Sequence, residues 1–141
     1  MLSNLLRRID SFFEVFTAPL LLISRLLIAW YFLPEGIEKI QDYSGTVNVM
    51  ESAGIPGILL PLVILLEIGG AILVAAGLMT RLACFAFALF TIVANQIFNS
   101  DATSQVQQFL YAAEFTVIAG MTALMAVGAG RWSLDALRSA R

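Results

Sequence analysis

The sequence predicts an all-α membrane protein: a bundle of four transmembrane helices, preceded by a short N-terminal amphipathic interfacial helix, with both termini in the cytoplasm. Three observations predict it. Of 141 residues, 60% are hydrophobic and only 13% charged, against about 45–50% and about 25% in ordinary soluble domains. Four apolar runs approach or exceed the roughly 20 helical residues that cross about 30 Å of hydrocarbon. The arginines collect on one side of the resulting topology.

The elements follow in order. In residues 1–17, Leu2, Leu5, Leu6, Ile9, Phe12, Phe13 and Phe16 recur at helical spacing opposite Asn4, Arg7, Arg8, Ser11 and Glu14, the pattern of a helix lying on a membrane surface. Asp10 and Glu14 interrupt the apolar stretch that a cleavable signal peptide needs. The first span is expected over 19–40, with Pro19 in the opening turn, where its missing N–H is no loss. Within Gln41 to Ile55, a short interfacial helix carrying Val47 and Met50 is expected to stop at Gly54. The second span is read over 57–79 and the third over 82–98. Thr80-Arg81 between them makes a tight antiparallel hairpin. The fourth runs over 106–127 and ends at Gly128, glycine being a common helix terminator. Residues 128–141 form a tail, in which Ser133 would cap a short helix and Trp132 would sit at the head groups. One domain accounts for the whole.

Arg7, Arg8, Arg81, Arg131, Arg138 and Arg141 share one side of this topology, and Lys39 stands on the other beside Glu35, Glu38, Asp42, Glu51 and Asp101. The positive-inside rule puts the termini in the cytoplasm of a bacterial inner membrane. The lipid bilayer is thus the first partner. The net charge of −2 and the lack of a basic run exclude nucleic acid. There is no histidine and one cysteine, Cys84. The chain therefore has no metal-ligand set and no nucleophile beside a base, so a non-catalytic subunit is expected rather than an enzyme acting alone. Any cofactor would be held without ligands of those kinds.

Function is sought in the charges that the spans carry. Glu67 lies within the apolar run Gly57 to Met79, and an intramembrane carboxyl is costly enough to be a functional hypothesis by default. Measured from the arginine-rich end at 1.5 Å per residue, Glu67 lies roughly 18 Å deep, Asn95 and Glu114 roughly 21 Å, and Arg25 roughly 10 Å. Four helices thus each supply one strongly polar side chain, with Arg25 reaching toward Glu67 and Thr91 and Gln96 close to Asn95. The expected ligand or proton site is Arg25, Glu67, Asn95 and Glu114, with two carboxyls and one guanidinium leaving an acid in excess. Trp30 and Tyr31 could add a flat aromatic wall for a quinone-like ring, or simply pack. The small residues Gly69, Gly70, Ala71, Ala75 and Gly77 on the second span, and Ala112, Thr116 and Gly120 on the fourth, are expected at close helix contacts.

The motifs in order are Arg25 with Phe32-Leu33, Gly36 and Lys39; Gly54-Ile55-Pro56; Leu66-Glu67-Ile68-Gly69-Gly70; Gly77-Leu78-Met79-Thr80-Arg81; and Gly128-Ala129-Gly130-Arg131-Trp132-Ser133-Leu134-Asp135. Together, over roughly residues 20 to 137, they resemble the DoxX family of small four-helix bacterial membrane proteins. That resemblance implies a membrane subunit linked to quinone-dependent or stress-related redox processes. A quinone is then the implied ligand, and a redox partner subunit carries the electron-transfer centre. Gly36, Lys39, Gly69, Gly70, Arg81 and Asp135 match the family pattern. Many relatives have a Lys-Asn pair leading into the last helix, where this chain has Tyr111-Ala112-Ala113-Glu114. A ligand-free structural or assembly protein, and a proton-coupled transporter working as a homo-oligomer, are the alternatives.

Overall fold

In the computed structural model, residues 2–100 and 103–140 are described, with side chains from residue 4. The expectations for Asp101 and Arg141 lie outside the described residues. The described residues contain helices and no strand. Four segments are long and apolar enough to cross a membrane: Asn4–Gln41, Gly57–Ala76, Thr80–Asn99 and Gln105–Val127.

Helix α1 is a single helix, Leu2–Gln41, with Pro19 and Pro34 inside it. The N-terminal amphipathic segment is therefore continuous with the first span, and Pro19 is not in an opening turn. At 1.5 Å per residue, 40 residues extend about 60 Å, twice the hydrocarbon thickness. Every side chain in residues 4–17 is exposed. Helix α2, Tyr43–Ser52, starts where the Asp42 carboxylate accepts from the Gly45 N–H, as a capping aspartate does. It ends before Gly54, whose φ is 78°.

The second span is composite. A 3-10 turn, Gly57–Leu59, leads into α3, Leu60–Ile64. A π turn, Leu65–Gly69, then leads into α4, Gly70–Ala76. The π turn carries Glu67, and such turns concentrate at functional sites. The span stops three residues before the expected Met79 because Gly77 adopts a left-handed φ of 70°. Helix α5, Thr80–Asn99, follows at once. Ser104 and Gln107 form a capping box at the start of α6, Gln105–Val127. Helix α7, Leu134–Ser139, is capped by Ser133, which accepts from the Ala136 N–H.

Helix α1 packs along α4 and the π turn, while α5 packs along α6. The core between them holds Ile28, Phe32, Ala71, Val74, Cys84, Phe87, Met121 and Leu124. Phe32 and Phe87 stack at 4.0 Å between centroids and 14° between planes. Gly70 makes room for that stack, since a Cβ there would come 2.8 Å from Phe87 Cζ. Gly70, Ala71 and Gly77 of the second span thus do pack closely, being buried, while Gly69 and Ala75 are only partly so. The small residues of the fourth do not: Ala112, Thr116 and Gly120 are exposed, and a Cβ on Gly120 would come no nearer than 4.0 Å to Ile28.

Candidate functional site

The polar residues divide into two sites, one near each end of the bundle. Arg25 and Glu67 do not meet. Arg25 is fully buried and donates from Nη1 to the Ala75 carbonyl at 3.2 Å and from Nη2 to the Trp132 carbonyl. Its partners are the carbonyl oxygens of the last turn of α4, which lack helical donors, and of the loop before α7. Glu67, 3% exposed, is paired with Lys39, whose Nζ lies 3.0 Å from Glu67 Oε1 and 3.3 Å from Glu35 Oε2.

One rule of helix geometry explains both departures. Helical side chains lean toward the N-terminus of their own helix. On α1 that direction carries Arg25 away from Glu67 and toward the C-terminal loop. It carries Lys39 inward, to snorkel in reverse, with its stem along apolar surface. The second span runs antiparallel, so Glu67 leans toward Lys39. The sequence contained this signal in the direction of each span.

Around this pair lies a cavity of about 590 Å³, within the roughly 300–1,000 Å³ of small-molecule sites. Its lining includes Tyr31, Lys39, Glu67, Thr91, Asn95 and Glu114. Three of the four expected core residues therefore share one cavity, and Arg25 is the one left out. Trp30 is 73% exposed and is not part of it. Tyr31 O–H donates to Glu114 Oε1 at 2.7 Å, tying α1 to α6. Asn95 Nδ2 donates to the Tyr111 carbonyl at 3.1 Å, and Asn95 Oδ1 accepts from Asn99 Nδ2 at 2.9 Å. Gln96 bonds the Tyr111 hydroxyl instead. Two buried oxygens on the lining residues, Glu67 Oε2 and Thr91 Oγ1, have no hydrogen-bond partner. Gly36 lets α1 approach the π turn, for a Cβ there would come 2.6 Å from Ile68 Cγ1 and 3.2 Å from Glu67 Cβ. Gly69 has only an ordinary neighbour, Leu65 Cδ1 at 3.7 Å.

The second site is a latch made by the tail. Asp135 accepts from the Met79 N–H at 2.9 Å and the Thr80 N–H at 3.2 Å, so it caps α5 from a distant part of the chain. Its own N–H donates to the Gly77 carbonyl at 2.9 Å. Arg81 reaches the Val127 carbonyl at the end of α6 at 3.4 Å. Trp132 is exposed and Ser133 buried. Arg25 and Asp135 thus join the tail to the bundle, and Arg81 ties the start of α5 to the end of α6.

A four-span bundle with a buried acid paired to a partly buried amine and a short latched tail defines a class of small multi-pass membrane protein. The DoxX family model matches residues 20–100, and the chain belongs to that family. It is 36% identical over 116 residues to the inner membrane protein YqjF of Escherichia coli K12, covering 82% of this chain and 89% of that one. It is 30% identical over 139 residues to the inner membrane protein YphA of the same organism, covering 94% and 98% respectively. No solved structure matches the chain.

Proposed function

We propose that this DoxX protein is an inner-membrane subunit, with cytoplasmic termini, that binds the polar head of a lipid-soluble ring compound of the quinone class in the Lys39–Glu67 cavity. One observation carries the reading. An ion pair between the buried Glu67 and the partly buried Lys39 stands at the wall of a cavity of about 590 Å³ beside two side-chain oxygens without partners, Glu67 Oε2 and Thr91 Oγ1. A pair that served only to hold helices together would need no space of that size beside it, and the unmet oxygens belong to residues that line that space, whereas buried polar groups are normally satisfied. The aromatic rings of Tyr31, Phe32, Phe90 and Phe98 also line the cavity and suit a flat ring.

The chain has no histidine and a single cysteine, so electron transfer would fall to a centre on a partner subunit. The test is purification in a mild detergent, followed by organic extraction and mass spectrometry of retained lipids and copurifying proteins. A ring lipid retained by the native chain and lost on Glu67→Leu, which removes every polar atom of that side chain, supports the proposal. A chain that retains no such lipid and binds none when it is supplied overturns it.

A further inference from the structure

The donors and acceptors around the cavity are unequally committed. Lys39 Nζ is held by the Glu35 and Glu67 carboxylates. The Tyr31 hydroxyl is given to Glu114, Asn95 Nδ2 to Tyr111, Asn99 Nδ2 to Asn95, and the Thr46 hydroxyl to the Asp42 carbonyl. Among the side chains lining the cavity, every donor atom except the Thr91 hydroxyl therefore has a partner within the chain, the Asn95 and Asn99 amides each committing one of two N–H groups. The acceptors are in surplus. Three carboxylates, Glu35, Glu67 and Glu114, line the cavity with a single ammonium, which pairs with the first two, and Glu67 Oε2 has no partner at all. A carboxylate turns readily about its last torsion, and an ionised one can only accept.

We infer that the cavity is matched to a ligand that donates hydrogen bonds; on the ring-binding reading above, on which this inference rests, it holds the hydroxyl-bearing quinol in preference to the quinone. A quinone offers two carbonyl acceptors to a wall already rich in acceptors. A quinol offers two O–H donors, one for Glu67 Oε2 and one for the Thr91 hydroxyl, which can accept or donate. A ligand ammonium would also donate, but on Glu67 it would crowd the Lys39 ammonium 3.0 Å from the same carboxylate, and like charges there are costly. A neutral hydroxyl avoids that repulsion.

The test measures binding of decylubiquinol and decylubiquinone, each under anaerobic conditions, to the full chain in mild detergent. The quinol is expected to bind at least tenfold more tightly. Glu67→Gln, which places an N–H donor beside the pocket, is expected to narrow the ratio toward one. Thr91→Val, which removes a hydroxyl that either ligand can use, is expected to weaken both several-fold and to keep the quinol preference, and it guards against misfolding of the glutamate variant. Equal binding, or tighter quinone binding, overturns the donor inference and leaves the ring-binding proposal standing. Failure of both probes to bind overturns that proposal together with the inference.

Discussion

The Lys39 ammonium lies 3.0 Å from the Glu67 carboxylate and joins the last turn of α1 to the π turn of the second span. The carboxylate is almost wholly buried, so its stability in the fold depends on that one cation. Removing one member of a buried pair costs about 3–5 kcal/mol, because it strands the other charge, whereas replacing both with apolar groups is often neutral.

Lys39→Met is therefore expected to destabilise the detergent-solubilised protein by about 3–5 kcal/mol, and the double variant Lys39→Met, Glu67→Leu to recover most of that loss. Reversible unfolding in mixed micelles measures both. A double variant no more stable than the single one would show that the pair is not the controlling interaction.

The latch at the other end gives a second expectation. Asp135→Ala removes the carboxylate that caps α5 through Met79 and Thr80, at a cost of about 1–2 kcal/mol. Asp135→Asn, which keeps one acceptor but loses the charge, should fall between. Unfolding midpoints and protease sensitivity of the tail would follow the same order.

Two glycines should respond oppositely to alanine. Gly77 has a φ of 70°, and a Cβ there would collide with the Arg25 guanidinium and meet Ser133 Cβ at 2.5 Å, so Gly77→Ala should cost more than about 1 kcal/mol. Gly69 is helical with nothing nearer than 3.7 Å, so Gly69→Ala should be neutral or stabilising by up to about 1 kcal/mol. Thermal melts of the two variants side by side would decide it.

The proposed orientation is checked by reporter fusions. A C-terminal green fluorescent protein should fluoresce, and an alkaline phosphatase at the same position should be inactive, as the arginine distribution requires. The opposite pattern would reverse the topology.

The four spans, the glycine stops at Gly54 and Gly128 and the Ser133 cap were legible because each follows from a local signal: a long apolar run, a residue tolerant of positive φ, a hydroxyl ahead of a helix. Membership of the cavity was partly legible. Glu67, Asn95 and Glu114 stood out as polar groups at similar depth, and depth along a helix is a simple function of residue count. Partnership was not. Depth alone put Arg25 in reach of Glu67 and left Lys39 among the charges at the membrane face, because it ignores the lean of a helical side chain. The Asp135 cap on α5 was illegible for another reason: it acts across more than fifty residues of chain, and no local pattern encodes a helix cap supplied from so far away.

The residues by themselves determined that this protein lives in a bilayer, how many times it crosses and where its costly charges sit, since hydropathy and helical rise are properties of consecutive residues. Only the tertiary structure decided that Glu67 belongs to Lys39, Tyr31 to Glu114 and Arg25 to the tail. Those choices depend on which helices are neighbours and which way each runs, and a buried charge is held by the partner that geometry delivers rather than the one nearest in depth.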